Sequence, residues 1–406
     1  MTPDFHRIRR LPPYVFEEVN RIKARLRAQG VDIIDFGMGN PDMPTPKHIV
    51  DKLIETARDP KSGRYSASKG IPGLRRAMAG YYARRFGVTL NPDTEVIATL
   101  GSKEGFANLA QAITAPGDVI ICPNPAYPIH AYGFIIAGGV IHHVPALSPE
   151  EYLSGVGKAV ASSEPAPSVL VVSYPSNPTA QWVDLDFYKD VVALAKKHEM
   201  LVLSDIAYSE IYFDDNPPPS ILQVDGAKDI AVEVNSLSKT YAMAGWRVGM
   251  VVGNERMCAA LARVKSYLDY GAFTPIQVAA AAALNGPQDC VDEIRATYKS
   301  RRDTLVSAMK RAGWDIPEPS ASMFAWAPLP EQYREAGSML FAKLLIEEAG
   351  VAVSPGVAFG ECGEGYVRIG LVENEHRIRQ AARNVKRFLD QSGQVLSKVR
   401  DQFPAG

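Results

Sequence analysis

The feature that most constrains the fold is a regular alternation of short apolar runs with amphipathic helical segments, which begins near residue 95. Several of the runs are almost continuously apolar, as is typical of strands that helices cover on both faces. We therefore predict an α/β domain with a mostly parallel seven-stranded sheet flanked by helices. The predicted strands are residues 95–101, 118–123, 139–146, 168–175, 200–205, 230–236 and 246–253.

The C-terminal part of the sequence has a different pattern. A helical segment is predicted to begin near Tyr298, and short strands are predicted in "MFAWAPL" and "YVRIGL". This α+β pattern favours a second, smaller domain over residues 287–406. The proline-rich residues 1–47 are expected to belong with it as an N-terminal arm, which leaves residues 48–286 as the large domain.

Composition and charge exclude several classes of protein. The 44 basic and 45 acidic residues give a formal net charge of −1, which does not favour binding to nucleic acid. The four cysteines are scattered without a CxxC pair, so neither a disulfide framework nor a metal site is predicted. With no apolar run near 18 residues and no secretory signal at the N-terminus, we expect a cytoplasmic protein that does not bind membranes.

Polar side chains follow the predicted strands where these strands end. In parallel sheets, ligands bind beyond the carboxyl ends of the strands, so these side chains are candidates for a site. They comprise an amide, a carboxylate, a phenol, two hydroxyls and an amine. The residues are Asn177, Asp205, Tyr208, Ser236, Ser238 and Lys239.

This set of groups suits pyridoxal 5′-phosphate. The aldehyde of that cofactor needs an amine such as Lys239, and its ring nitrogen needs an acid such as Asp205. Its phenolic oxygen accepts hydrogen bonds from neutral donors, for which Asn177 and Tyr208 are available. Its phosphate needs backbone N–H groups at a helix start, which the "GSKEG" segment supplies, together with donors from Ser236, Ser238 and Arg247.

Each residue also has an ordinary structural interpretation when it is taken alone. Lys239 could be a surface lysine, Asp205 a helix N-cap, and Asn177 a turn residue before proline. Arg247 could be exposed, although its place before a strand favours burial against an anion. Arg368, inside an apolar strand, needs a partner, which could be a substrate carboxylate or a structural aspartate.

The histidines invite a metal-site interpretation, which we set aside. His142 and His143 are adjacent in a predicted strand, where successive side chains point to opposite faces. The two imidazoles therefore cannot easily face one ion, and His130 alone does not make a site.

The segments "SNPTA", "SDIAYSEI" and "SLSKTYAMAGWRVG" together resemble the fold-type I, class I/II aminotransferases, and the resemblance extends over essentially the whole chain. More narrowly, "GMGNPDMPTPKHIVDKL", "NPAYPIHAYG" and "ARVKSYLDYGAFTPIQVAA" resemble the bacterial glutamate–pyruvate (alanine) aminotransferases. The LL-diaminopimelate aminotransferases are the neighbouring group.

The resemblance implies a role for each site residue. Lys239 is the Schiff-base lysine and proton carrier, Asp205 pairs with the pyridine nitrogen, and Asn177 and Tyr208 hold the phenolic oxygen. Tyr127 stacks on the ring. The residues expected at the phosphate are Gly101, Ser102, Lys103, Ser236, Ser238 and Arg247.

The resemblance also implies how substrate and partner are bound. Arg368, with Asn177, clamps the substrate α-carboxylate, and Gly39 lines the substrate pocket. Tyr65 reaches the phosphate of the cofactor in a partner subunit, so a homodimer is expected. The group that meets the side-chain carboxylate of glutamate stays open between Arg64, Lys69 and a partner-chain residue.

The expected activity is transamination in ping-pong half-reactions between an amino acid, alanine in the first place, and 2-oxoglutarate or pyruvate. One alternative is a β-lyase that uses the same cofactor on cysteine-type substrates. Another is an aminotransferase of different specificity, such as one for LL-diaminopimelate. A regulator built on the same fold is the least favoured, because the sequence has neither an added DNA-binding segment nor an excess of basic residues.

Overall fold

The computed structural model describes residues 5–12 and 16–395. Its helices are α1 (His6–Arg9), α2 (Phe16–Ala28), α3 (Lys47–Ala57), α4 (Pro72–Phe86), α5 (Ser102–Ile113), α6 (Ile129–Ala137), α7 (Pro149–Ser162), α8 (Leu185–Lys197), α9 (Leu237–Thr240), α10 (Glu255–Leu268), α11 (Thr274–Asn285), α12 (Asp289–Arg311), α13 (Gly337–Ala349) and α14 (Glu375–Asp390). Its strands are β1 (Ile34–Asp35), β2 (Val96–Thr99), β3 (Val119–Asn124), β4 (Val140–Pro145), β5 (Pro167–Ser173), β6 (Leu201–Asp205), β7 (Ala231–Ser236), β8 (Gly249–Gly253), β9 (Phe324–Pro328), β10 (Val351–Ala352), β11 (Ser354–Pro355) and β12 (Tyr366–Gly370).

The main sheet has seven strands in the order β2-β8-β7-β6-β5-β3-β4. Strand β8 runs antiparallel to both of its neighbours, and the other pairs in the sheet are parallel. The predicted seven-stranded α/β sheet is therefore confirmed. Within the described ranges, no helix is both long and apolar enough to cross a membrane.

The central strands are buried on both faces, which explains their continuous apolar runs. In β5, Leu170 and Val172 pack into the core on one face of the sheet, while Val169 and Val171 pack into the core on the other. This alternation follows from the two-residue period of a strand. Because both faces are covered, the carboxyl-end edge is where the polar ends of these strands can meet.

A separate core lies under the antiparallel sheet β11-β12-β9 and the helices α12, α13 and α14. Ile34 and Phe36 pack into this core, and β1 pairs with β10 in parallel, so the N-terminal segment lies with the C-terminal part of the chain. Ile211 and Phe213, from the middle of the sequence, also contribute to it. The domain bounds 48–286 and 287–406 stay a prediction.

Two predicted element starts were wrong. Helix α12 begins at Asp289 rather than near Tyr298, because Val291, Ile294 and Tyr298 already form one buried face at helical spacing. Strand β8 begins at Gly249 rather than at residue 246. Arg247 precedes it in a left-handed conformation, with φ of 58°, which redirects the chain before the strand starts.

Candidate active site

Polar strand ends and the segment around residue 39 enclose a cavity of about 430 Å³. This volume lies in the usual range for small-molecule sites. Most of the residues predicted from the sequence line this one cavity, while Gly101 and Tyr65 do not. The predicted residues that line it are Gly39, Ser102, Lys103, Tyr127, Asn177, Asp205, Tyr208, Ser236, Ser238, Lys239, Arg247 and Arg368.

Lys239 lies in the single-turn helix α9, directly after β7. The Oγ of Ser236 accepts a hydrogen bond from the Ser238 backbone N–H at 3.1 Å, which fixes the start of this turn. The Nζ of Lys239 donates to the carbonyl oxygen of Gly39 at 2.9 Å. Burial, followed by the charges of Arg368 and Arg247, lowers the pKa of Lys239 to about 8. A large fraction of this amine is therefore neutral at mildly alkaline pH.

Asp205 ends strand β6 and is held from two sides. Its Oδ2 lies 2.9 Å from His130 Nε2, and its Oδ1 accepts a hydrogen bond from the Ala207 backbone N–H at 3.0 Å. His130, in α6, is completely buried. The sequence suggested His130 only as a candidate metal ligand, and the pairing with Asp205 was not predicted. The two residues are 75 positions apart, so the one available signal was a histidine in an otherwise apolar helix.

Arg368 lies in β12, is 6% exposed, and contacts neutral groups. Its Nη1 donates to Asn177 Oδ1 at 2.8 Å, and its Nη2 donates to the Gly37 carbonyl at 3.2 Å. The guanidinium also lies 4.2 Å from the ring centre of Phe324 and 4.6 Å from that of Phe359. Phe324 and Phe359 line the cavity too, and the sequence analysis did not identify either.

Gly39, in the N-terminal segment, lies close to Phe324 and Arg368. A Cβ added at Gly39 would lie 2.7 Å from the ring of Phe324 and 4.0 Å from Arg368 Nη2. A glycine therefore permits the backbone of this segment to pack directly against the aromatic wall. Gly39, which is predicted to line the substrate pocket, lies in the lining of this cavity.

Two tyrosines lie on the walls of the cavity. Tyr208 packs edge-on against Phe324, with ring centres 5.5 Å apart. Burial raises the pKa of Tyr208 above its ordinary value, while the charge of Arg368 opposes this shift, so the phenol keeps its proton and can donate. Tyr127 meets His130 edge-on, and the Nζ of Lys103 lies 5.9 Å from the Tyr127 ring centre.

The start of α5 and Arg247 form a cationic end of the cavity. Gly101 precedes α5 at φ of 85° and has no side chain to cap the helix, so the first N–H groups of α5 are available to an anion. A Cβ at Gly101 would collide with the guanidinium of Arg247. Arg247 is exposed and donates to the carbonyl oxygens of Ala244 at 2.8 Å and Leu100 at 3.4 Å. The expectation that Arg247 is buried was wrong, because its left-handed turn directs it to the mouth of the cavity.

Tyr65 is separate from this arrangement within one chain. Its side chain is 86% exposed, and its ring lies 4.6 Å from that of Tyr270. Arg64 and Lys69 do not line the cavity either. In the described part of the chain, no three His, Cys, Asp or Glu residues are arranged to hold a metal ion.

The residues present fit pyridoxal 5′-phosphate. Its phosphate matches the uncapped start of α5 with Arg247, its ring nitrogen matches the fixed carboxylate of Asp205, and its aldehyde matches the amine of Lys239. A neutral phenol at Tyr208 and the amide of Asn177 suit its phenolic oxygen.

The sequence matches the family described as aminotransferase class I and II over residues 31–385. The protein AatC of Rhizobium meliloti (strain 1021) is 64% identical over 98% of this chain and 98% of its own length. The glutamate-pyruvate aminotransferase AlaC of Escherichia coli (strain K12) is 51% identical over 96% of this chain and 94% of its own length. An LL-diaminopimelate aminotransferase of Moorella thermoacetica (strain ATCC 39073 / JCM 9320) is 41% identical over 94% of this chain and 97% of its own.

The fold is also similar to solved structures. Substrate-bound BacF from Bacillus subtilis superposes with a TM-score of 0.89 at 33% sequence identity, over 96% of this chain and 98% of that one. The similarity therefore covers both the main sheet and the C-terminal antiparallel sheet. These matches confirm the resemblance and the fold that were predicted from the sequence.

Proposed function

Because the chain belongs to the class I and II aminotransferases, which depend on pyridoxal 5′-phosphate, we propose that it transfers the amino group between alanine and 2-oxoglutarate, with glutamate and pyruvate as the other pair. The observation that carries this proposal is that one cavity is lined both by the amine of Lys239, whose pKa is lowered to about 8, and by the guanidinium of Arg368. The relative AlaC, named a glutamate-pyruvate aminotransferase, supports the choice of substrates.

The cofactor would be held by the groups that fit it. Asp205, kept in place by His130, would meet the ring nitrogen, and Tyr127 would lie against the ring. Asn177 and Tyr208 would donate to the phenolic oxygen. The phosphate would lie at the start of α5, where the donors are the backbone N–H groups after Gly101 and the side chains of Ser102, Ser236, Ser238 and Arg247. Lys103 would contribute its backbone N–H.

The bound cofactor supplies an electron sink for the α-carbon of the amino acid. Lys239 removes the α-proton and later returns a proton, and its lowered pKa makes the neutral, basic form accessible. Arg368 holds the α-carboxylate, which fixes the α-carbon relative to the amine. Asp205, with its carboxylate oriented by His130, would hold the proton on the ring nitrogen.

We also propose that residues 48–286 and residues 1–47 with 287–406 act as two domains, which meet at this cavity. Lys239 belongs to the first and Arg368 to the second. The N-terminal segment contacts both, because the Gly39 carbonyl accepts a hydrogen bond from Lys239 and the Gly37 carbonyl accepts one from Arg368. A substrate held by Arg368 would then join the two domains. The chain itself supports this division by its two separate cores.

A homodimer in the cytoplasm is the proposed assembly. Exposed apolar side chains lie at Tyr65, at the end of α10 and in the residues that follow α10, an arrangement expected of an interaction surface. Their exposed fractions are 86% for Tyr65, 84% for Tyr267, 60% for Leu268, 62% for Tyr270 and 48% for Phe273. In a dimer, the hydroxyl of Tyr65 would reach the cofactor phosphate of the partner.

A second candidate is transamination of LL-diaminopimelate, which is favoured by the match to the Moorella thermoacetica enzyme of that name. Half-reaction spectra of the purified protein with alanine, glutamate and LL-diaminopimelate separate the two. We expect alanine and glutamate to change the spectrum of the bound cofactor at least about tenfold faster than LL-diaminopimelate. The opposite order would overturn the substrate assignment. Release of ammonia from a cysteine-type substrate would instead support the β-lyase alternative.

A further inference from the structure

Lys265, near the end of α10, is completely buried yet lies outside the cavity lining. Its Nζ is 2.9 Å from Glu104 Oε1 and 2.9 Å from Asp269 Oδ2. A buried ammonium group is tolerated only when such partners compensate for its lost hydration. The reaction proposed above makes no use of Lys265, Glu104 or Asp269, so this charged cluster needs a separate explanation.

Glu104 connects the cluster to the phosphate end of the cavity. It lies in the first turn of α5, and its Oε2 accepts a hydrogen bond from the Leu100 backbone N–H at 2.8 Å. The carbonyl oxygen of the same Leu100 accepts from Arg247 Nη2 at 3.4 Å. The peptide groups just before Ser102 are therefore fixed by Glu104 on one side and Arg247 on the other.

Asp269 connects the cluster to the segment that carries Tyr65. Its Oδ1 accepts a hydrogen bond from the Gly271 backbone N–H at 2.6 Å. Gly271, at φ of 79°, lies so close to Ala67 that a Cβ there would collide with the Ala67 carbonyl. In the same loop, the ring of Tyr270 lies 4.6 Å from that of Tyr65. The position of Tyr65 thus depends on the loop that Asp269 holds.

The charge of Lys265 matters as much as its hydrogen bonds. Without it, the half-buried carboxylates of Glu104 and Asp269 would be uncompensated near the start of α5. A negative charge there would repel a phosphate group at the same helix start, and low polarity would strengthen the repulsion. Lys265 neutralises this repulsion and holds both carboxylates in one geometry.

We propose that Lys265 is a positioning residue that joins the two parts of the phosphate site, namely the start of α5 in its own chain and the Tyr65 segment presented to a second copy. This inference rests on the proposed cofactor site and dimer. According to this proposal, Lys265 controls the affinity for the cofactor phosphate and does not act on the proton-transfer chemistry. Lys265 touches neither substrate nor cofactor.

The test is Lys265→Met in the full chain, prepared free of cofactor and titrated with pyridoxal 5′-phosphate. We expect the dissociation constant to rise about 10- to 100-fold, as for the loss of a charge-assisted contact, and the ³¹P resonance of the bound phosphate to shift. The matched control is Lys196→Met, which removes a surface lysine paired with Asp229 at 3.0 Å and should change neither quantity. Unchanged affinity and an unchanged ³¹P resonance in Lys265→Met would overturn the proposal.

Two further variants separate positioning from folding. If Lys265→Met does not fold, Glu104→Gln/Lys265→Met/Asp269→Asn removes all three charges together, which a buried site tolerates better than one unpaired charge. We expect this triple variant to unfold cooperatively and to bind the cofactor less tightly than the parent, because Lys265 no longer joins the two segments. The loss should be smaller than one caused by uncompensated carboxylates, since Gln and Asn carry no charge to repel the phosphate, and parental affinity would contradict the proposal. A parent protein that does not bind the cofactor at all would instead refute the proposed function.

The link to Tyr65 is tested by a double-mutant cycle. Tyr65→Phe removes the hydroxyl expected at the partner's phosphate, and we expect it to weaken cofactor binding in the parent. In Lys265→Met the same change should have a smaller effect, because Tyr65 is already displaced. Equal effects of Tyr65→Phe in both backgrounds would show that Lys265 does not position Tyr65.

Discussion

The cavity has two halves that are built differently. In the half formed by the ends of β6 and β7, Asp205 and Lys239 follow consecutive parallel strands and are held by charge or backbone contacts. In the half around β12, Arg368 is held by neutral hydrogen bonds and by the faces of Phe324 and Phe359. Under the proposed function, the first half supplies the groups that act on the proton, and the second supplies the groups that hold a substrate.

This difference indicates that substitutions can alter the rate of the chemical step and the affinity for the substrate separately. A substitution among the strand-end residues should reduce the chemical step for every substrate, because the cofactor is common to both half-reactions. A substitution around Arg368 should act mainly on substrate affinity. Kinetic constants distinguish the two cases, since the first lowers kcat and the second raises KM.

Lys239→Ala should have the largest effect among substitutions in the half of the cavity formed by the ends of β6 and β7. Without the amine, no group remains at that position to carry the proton, so we expect kcat to fall by about 10³-fold or more. Cofactor binding should be retained to a large extent through Asp205 and the start of α5. Steady-state rates with alanine and 2-oxoglutarate, together with a cofactor titration, measure both quantities. Appreciable turnover by this variant would contradict the role assigned to Lys239.

Asp205→Asn should have the next largest effect. The amide cannot hold a proton on the ring nitrogen, so we expect kcat to fall about 100-fold, with little change in KM. His130→Gln leaves the carboxylate in place but removes its partner at 2.9 Å, and a loss of about tenfold is expected. The two decreases in kcat, measured under saturating substrate, are compared as a ratio to test whether His130 acts through Asp205. If kcat fell further in His130→Gln than in Asp205→Asn, His130 would not act only by orienting Asp205.

Arg368→Lys tests the substrate half. Lysine keeps the charge but not the planar group that contacts Asn177 while lying against two aromatic rings. We expect kcat/KM for alanine to fall about 10- to 100-fold, mostly through KM. Cofactor affinity should match that of the parent. An effect on kcat alone would contradict the claim that the half of the cavity around β12 acts mainly on substrate affinity.

The smallest expected effect is on the pH dependence of the free energy of unfolding. The pKa of Lys239 is about 8 in the folded chain, below the ordinary value of about 10.4. The charged form is thus disfavoured by folding, so this lysine opposes folding below pH 8, and its penalty declines as pH rises from 8 toward 10. Cofactor-free Lys239→Met should accordingly be more stable than the parent at pH 7, with the difference narrowing up to pH 10. Urea unfolding at several pH values measures it, and a constant difference would count against the lowered pKa.

The strand-end half could be predicted from the sequence because its information is local. An apolar run marks each strand, and the polar residue at its end must lie at the ligand edge of a parallel sheet. Asp205, Asn177 and Lys239 were found in this way, and they do line one cavity. The resemblance to a known family then supplied residues such as Gly39 and Tyr127 that no local pattern identifies.

The remainder depends on contacts between distant segments. His130 lies 75 residues before Asp205, and nothing in its own helix indicates the pairing. Phe324 and Phe359 look like ordinary core aromatics until the fold places Arg368 between them. The exposure of Arg247 could not be predicted for a related reason, because a left-handed residue before β8 cannot be recognised from the neighbouring apolar run.

The most direct test is to identify the amine that carries the cofactor. The purified protein is treated with borohydride in the presence of pyridoxal 5′-phosphate, digested, and mapped by mass spectrometry. The cavity geometry predicts a pyridoxyl group on Lys239 and on no other lysine, with Lys103 and Lys265 unlabelled. A pyridoxyl group on a different side chain, or the absence of any label, would contradict the account.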